Sequence, residues 1–591
     1  MRPILTVLSS LLILFLGSSL FANNAAQAKY TLATDLIKEH GEVDIIVKVN
    51  SPSEIKKYDL PNFLSISKIN ADNLTEVYAR VVQWNFDKLV ELGLDYEVVM
   101  PEVWEPKMGD FSDYLAGKGP ASWYEYPTYQ EYMAFLDKWE ADYPDICKKY
   151  HLGPSGVASK NHDIYAMRIS DNVTENEPEP RYLETNTIHG DETLNFMNCL
   201  HMIDTLLTSY GSDARITALV DSLEMWFVPN MNPDGTYPSG DHTVANARRY
   251  NVANGWDLNR NNPCPCEQGD HKYYGLYHFY SKETEALMKL QGWYKFQFAQ
   301  DQHGGTETYL WPYGGVRTRC KDEDWYRWLC RDLVDQIHDD CNNNGYMTSC
   351  GGDGVGHIYT ELYECHGIRC DMNDWVGNGF SITLESSVRK NLAESDLARH
   401  WRYCKEALFM SMEVMYKYGL TGHVTDGETG EPLTKVKIIR EGDLSNRCQL
   451  TDSAGRYLTY MNKGTYDITY RLDGYQDYVY ENFQFASYTE KYIKHVQLWK
   501  EGTGIKPKMK NMKPVPYSRG IKFIDDVQLA KNVQIGIYNI NGKLVRILPL
   551  QNNSIVWDGM NSANSRVSSG CYVLKIRNNN DTFTKSFIYN R

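Results

Sequence analysis

The spacing of hydrophobic and polar residues changes character along the chain, and each change predicts an element or a boundary. Behind Arg2, positions 4–21 are almost continuously apolar, diluted only by Ser, Thr and Gly. From Lys29 to about Pro106 the pattern is mixed. Asp44-Ile45-Ile46-Val47-Lys48-Val49, Glu76-Val77-Tyr78-Ala79-Arg80-Val81-Val82 and Tyr96-Glu97-Val98-Val99-Met100 read as strands. Ser51-Pro52-Ser53-Glu54 reads as a helix start, with a capping Ser and Pro at the first helical position, and Phe86–Leu94 reads as a helix. These predict a small α+β domain over 29–106, either a propeptide covering a site or an accessory unit. A Gly-, Ser- and Pro-bearing linker follows over 107–122.

Tyr129 to Leu136 carries apolar residues at helical spacing. Strands and helices then alternate from 123 to 418, which predicts an α/β domain, a mixed sheet flanked by helices. At Gly419 the texture becomes short alternating runs split by turn signals, such as Gly430-Glu431-Pro432 and Asp452-Ser453-Ala454-Gly455. That predicts a β-sandwich over 419–500. Glu501–Arg519 is a Lys- and Pro-rich linker, and 520–591 is a second β-sandwich, with Asn541-Gly542 as a hairpin turn.

Composition sharpens this picture. At 591 residues the chain exceeds one ordinary domain. Its formal charge is −15 with no basic tract, which excludes nucleic acid as a partner. The positive start, apolar run and Ala26-Gln27-Ala28 predict a signal peptide over 1–28, with Leu20-Phe21-Ala22 as the rival cleavage site and a membrane anchor as the competing reading. No later segment is apolar enough to span a bilayer, so no transmembrane segment is expected in the mature protein. Eleven of the thirteen Cys lie between Cys147 and Cys404. In an exported chain, Cys264-Pro265-Cys266 and the group Cys320, Cys330, Cys341, Cys350, Cys365 and Cys370 read as disulfide staples.

The candidate chemistry centres on His189-Gly190-Asp191-Glu192, between a strand-like run ending at Ile188 and a helix-like run from Thr193. A His at a strand end and a Glu in the first helical turn can converge on one metal ion. A catalytic zinc site needs a third protein ligand and an open position. His303, in Gln300-Asp301-Gln302-His303-Gly304-Gly305, is the candidate. Other segments accompany them: Pro229-Asn230-Met231-Asn232-Pro233-Asp234-Gly235, Asp257-Leu258-Asn259-Arg260-Asn261, Trp311-Pro312-Tyr313-Gly314 and Ile382-Thr383-Leu384-Glu385. In this order and spacing the set resembles the zinc metallocarboxypeptidases, the family of carboxypeptidases A, B and D, over roughly Trp123 to Tyr418.

The resemblance implies one zinc ion per chain on His189, Glu192 and His303, with Asp257 orienting the first His. It implies Glu385 as general base, Asn259 and Arg260 gripping the substrate's terminal carboxylate, and Arg249 stabilising the oxyanion, with Arg248 as a rival. The family's substrate-capping Tyr falls on His366, with Tyr363 three residues earlier, so either fills that role. Positions that carry an Asp in members removing Lys or Arg hold Asn373 and Gly314, which points to a neutral or apolar C-terminal residue unless another acid such as Asp371 intervenes. Residues 419–500 resemble the transthyretin-like domain of carboxypeptidase D relatives. Residues 520–591 resemble the sorting domain of type IX secretion substrates, which implies secretion machinery as a partner.

The expected protein is thus a secreted or cell-surface enzyme, exported through the periplasm, that takes peptide or protein C-termini as substrate. A cell-wall peptide hydrolase of the same fold and a catalytically dead peptide-binding or adhesion relative are the alternatives.

Overall fold

The computed structural model describes residues 25–590 apart from 59, 61–63, 70–74, 101–103, 176, 178, 265–278, 318, 351, 441–448, 502–512, 518–519, 525–533, 550–554 and 578–581. The apolar run 4–21, Pro265 and Cys266, most of the Lys- and Pro-rich linker and Arg591 therefore lie outside the described residues. Ala26-Gln27-Ala28 lies in a helix over residues 25–40.

That helix begins a small α/β unit. Its sheet has the order β2 (Ser65–Ile69), β3 (Glu76–Val81), β1 (Val43–Lys48), β4 (Asp95–Val99). Alternation in β1 and β3 buries Val43, Ile45, Val47, Val77, Ala79 and Val81 on one face. Helix Gln83–Glu91 covers that face with Phe86 and Leu89. Three of the four strands were legible as alternating runs; β2 was not anticipated. Segment 107–122, read as a linker, carries a short helix, Ser112–Leu115, and Phe111 and Tyr114 pack in the main core.

The central sheet has eight strands: β5 (Cys147–Pro154), β6 (Asp163–Ile169), β7 (Arg181–Asn186), β8 (Glu224–Val228), β9 (Phe298–His303), β10 (Glu307–Trp311), β11 (Val355–His357) and β12 (Phe380–Ser386). Their order is β11-β10-β12-β9-β7-β8-β6-β5. Neighbours β12, β9, β7 and β8 run parallel, while β10 on β12, and β6 on β8 and β5, run antiparallel. Every residue of β7, β8 and β9 is buried, as expected for parallel strands covered on both faces. Helices Tyr129–Asp142, Thr193–Ser209, Glu323–Asp340 and Glu394–Lys417 contribute to the larger core, and Lys282–Trp293 packs on the opposite side against Leu183, Trp226 and Ala299. The first of these helices starts on a capping box, Thr128 with Glu131.

After Lys417 the expected β-structure follows. One sheet orders Arg456–Thr459, Gly419–Asp426 and Lys491–Ile493; another orders Gln449–Leu450, Lys437–Arg440, Gly464–Arg471 and Tyr478–Phe485. The C-terminal body has sheets Lys513–Tyr517, Gly520–Ile524, Ile555–Trp557 and Leu544–Leu548, Gln534–Asn539, Gly570–Arg577, Thr582–Tyr589. Ile535, Trp557, Leu574 and Phe587 share its core. Gly542, at φ +75°, makes the anticipated hairpin turn. No helix among the described residues is long and apolar enough to cross a membrane.

The disulfide expectation is corrected for most of the cysteines it named, while Cys264 is disulfide-bonded. Cys330, Cys341, Cys350, Cys365 and Cys370 carry free thiols, as do Cys147, Cys199, Cys404 and Cys571, and Cys320 lies buried in the main core. Most are packed into the core, where a thiol behaves as a small apolar group. Burial pushes the Cys365 and Cys404 thiols up to about 12.

Candidate active site

The candidate residues gather at the C-terminal edge of β7, β9 and β12, the edge where open parallel sheets bind ligands. His303 ends β9, and Glu385 sits beside it in register on β12. His189 follows β7, and Glu192 immediately precedes helix Thr193–Ser209. The His189–Glu192 loop is held tightly against its neighbours. A Cβ on Gly190 would stand 2.4 Å from the Gly235 backbone carbon and 2.7 Å from the Arg248 carbonyl oxygen, so only glycine fits. Asn232 donates to the Ile188, Arg249 and Tyr250 carbonyls at 3.3–3.4 Å, which explains the Pro229–Gly235 segment as a brace.

The three ligand candidates converge. His189 Nδ1 lies 2.8 Å from Glu192 Oε1, His303 Nδ1 lies 2.9 Å from Glu192 Oε2, and the two Nδ1 atoms are 3.2 Å apart. His189 Nε2 faces Asp257 Oδ1 at 3.1 Å. That bond assigns the proton to Nε2 and leaves the Nδ1 lone pair for a metal. Two imidazoles and a carboxylate form a donor set that fits zinc.

Around this cluster stand the other candidates. Arg249, 5 % exposed, bridges Asp257 Oδ2 at 3.2 Å and Glu192 Oε1 at 3.4 Å. Arg248 points elsewhere, its guanidinium beside Gly41. Buried Arg260 donates to the Asn259 carbonyl and reaches the Tyr363 hydroxyl at 3.4 Å. Its Nε has no partner. Asn259 Oδ1 accepts from the Arg369 amide. Glu385 Oε2 has no partner, and burial, reinforced by Glu192 and opposed by His303, pushes the carboxyl up to about 7. Tyr363 lines the cleft, whereas His366 pairs with Glu364 at 3.2 Å and does not line it.

Apolar residues also line the cleft: Leu310, Ile358, Leu362 and Ile368, with Cys365 and Cys370. Asp371 is turned away to accept the Gly314 and Gly315 amides at 3.0–3.1 Å, and Asn373 bonds Gln291 and the Phe380 carbonyl. Sequence reasoning missed Asp301 and Lys390. Lys390 Nζ lies 3.2 Å from Glu192 Oε1 and 3.6 Å from Asp191 Oδ2; its only signal was its place just after the Glu385 strand.

It also missed how the N-terminal unit meets the site. Ile66 of β2 is a wall of the cleft, and its carbonyl accepts from the Tyr363 hydroxyl at 2.8 Å. Glu42 accepts the Arg249 and Tyr250 amides at 2.8 and 3.2 Å. Arg80 pairs with Glu42 at 3.0 Å, with Asp44 at 2.7 Å and with buried Asp191. About 50 Å³ remains in the cleft, room for a few waters and not for an amino-acid residue.

The chain is similar to several known proteins. The family described as zinc carboxypeptidase matches residues 132–407, and the secretion system C-terminal sorting domain family matches 514–590. Carboxypeptidase D of Mus musculus is 28% identical over 359 residues, 58% of this chain and 24% of that protein. The chain thus spans about a quarter of the length of those relatives. Carboxypeptidase M of Mus musculus is 28% identical over 375 residues, 59% of this chain and 79% of that protein. A solved carboxypeptidase A from Helicoverpa armigera aligns with 63% of this chain and 98% of that chain, at 17% identity and a TM-score of 0.47.

Proposed function

Because residues 132–407 belong to the zinc carboxypeptidase family, with His189, Glu192 and His303 as the zinc-binding triad, we propose that this protein is an exported carboxypeptidase releasing single C-terminal residues from peptides or proteins. The observation that carries the reading is the meeting, in one cleft, of the triad, an unpartnered carboxylate (Glu385) and a buried guanidinium with a free N–H (Arg260).

Zinc bound at the triad supplies Lewis acidity to the scissile carbonyl and acidifies water. The chain's own residues do the rest. Arg260 and Asn259 hold the terminal carboxylate; a planar guanidinium matches it bidentately, which selects a free C-terminus. Tyr363, beside Arg260, closes over the bound residue. Glu385, with its carboxyl raised toward neutrality, takes a proton from the attacking water and returns it to the leaving amine. Arg249 faces the oxyanion as charge develops on the carbonyl oxygen. The apolar wall of Leu310, Ile358 and Ile368 favours a neutral or apolar C-terminal side chain.

The N-terminal unit is read as a cover. Ile66 and the Tyr363 bond stand where substrate must enter, and a free cleft of about 50 Å³ supports a latent form. The sorting-domain match supports export to the cell surface or medium. The test compares purified protein, zinc-loaded and with the N-terminal unit removed, on peptides with free and amidated C-termini. Release of single residues from the free acids alone is expected. Equal rates on both would overturn the exopeptidase reading.

A further inference from the structure

Strands β9 and β12 run parallel with Ala299 beside Ser381, Asp301 beside Thr383 and His303 beside Glu385. Side chains two apart share a face, so one patch holds the third zinc ligand, the general base and, one row back, the carboxylate of Asp301. Asp301 is 2 % exposed, and its Oδ2 lies 3.1 Å from His303 Nε2. On the other oxygen, Oδ1 accepts from the Thr383 hydroxyl at 3.1 Å and lies 3.6 Å from Arg369 Nη1. Arg369 is itself buried and bonds the Ser381 hydroxyl at 3.2 Å.

From this geometry we infer that Asp301 is a positioning residue for zinc: it orients His303 as Asp257 orients His189. The inference rests on the zinc-site reading above. His303 Nε2 has two polar neighbours, Asp301 Oδ2 at 3.1 Å and Asn259 Nδ2 at 3.2 Å. They ask for opposite tautomers. Asn259 could only donate, which would place the proton on Nδ1 and destroy the ligand lone pair. Asp301 can only accept, which places the proton on Nε2 and frees Nδ1. A bond to a charged acceptor is roughly twice as strong as a neutral one, so Asp301 decides the tautomer. The Thr383 hydroxyl and the Arg369 guanidinium stand on its other oxygen, which leaves Oδ2 to His303. The two ligand histidines are thereby fixed by separate carboxylates, Asp257 and Asp301, and Glu192 lies between them.

The experiment measures zinc affinity, not turnover. Zinc dissociation constants are obtained by competition with a chromophoric chelator on apo full-length protein, alongside the melting temperature of each apo form. Asp301→Asn keeps the size and an acceptor for Arg369 but loses the charge; zinc affinity should fall about 10- to 100-fold, comparably to Asp257→Asn. Thr383→Val, which removes only the hydroxyl on Oδ1, should weaken zinc several-fold, and it serves alone if Asp301→Asn does not fold. Zinc affinity within twofold of the parent in the folded variants, whatever the melting temperature does, overturns the inference. His303→Ala separates the two readings. If the parent binds no zinc that this change removes, the zinc site itself is wrong; if it does, and Asp301→Asn still binds normally, only the role of Asp301 is wrong.

Discussion

Replacing Arg80 by Ala tests the cover most directly. Its guanidinium is the cation shared by Glu42, which is 7 % exposed, and Asp191, which is fully buried. Glu42 in turn holds the amides of Arg249 and Tyr250. Removing one partner of a buried ion pair costs about 3–5 kcal/mol, because the other charge stays desolvated. Lys390, 3.6 Å from Asp191, softens that loss, so the lower figure applies. The strain is relieved when the N-terminal unit lifts and Glu42 returns to water. About 3 kcal/mol corresponds to more than 100-fold in population. In Arg80→Ala, kcat/KM on a short free-acid peptide should therefore rise by one to two orders of magnitude, mainly through KM, with zinc content unchanged. Limited proteolysis should cut between the N-terminal and catalytic units faster than in the parent. A folded, zinc-replete variant with parental kcat/KM and parental proteolysis would refute the cover and leave the N-terminal unit an accessory domain.

Other outcomes follow from single groups. Glu385 Oε2 has no hydrogen bond to lose, so Glu385→Gln should keep fold and zinc while turnover drops about 10²- to 10⁴-fold; kcat within a few-fold of the parent removes Glu385 from the proton transfers. Asp371 is raised by burial from 3.8 to about 7, so the folded state holds a proton the unfolded chain has released. Its contribution to stability is complete at low pH and is lost as pH climbs toward 7. Relative to Asp371→Asn, the parent's melting temperature should fall between pH 5 and pH 8, and parallel curves would contradict the sign. Deleting 520–591 removes a body with its own core around Trp557; the remainder should stay folded and accumulate in the periplasm, and export at the parental level would show the domain is not the address.

What the sequence determined alone was local or periodic. Alternation named β1, β3 and β4, helical spacing named the helix from Tyr129, and Asn541-Gly542 turned its hairpin, because each depends on neighbours a few positions apart. The candidates that gather in the cleft were legible wherever a motif is contiguous: His189 with Glu192, Asn259 with Arg260, Glu385 at the end of an apolar strand. Tertiary structure decided the rest. Tyr363 rather than His366 reached the cleft because the chain after Ile358 carries it to Arg260, while His366 turns to Glu364. Arg249 rather than Arg248 faced the ligands, a choice no spacing makes. Most of the described cysteines stayed as thiols in the packed core, whereas Cys264 is disulfide-bonded. Asp301 looked like one polar residue in a polar run; strand register alone set it behind His303. Arg80 and Ile66 gained a bearing on the site only when folding brought a distant unit to its mouth, since pairing across so many residues depends on how the domains dock and leaves no local pattern to read.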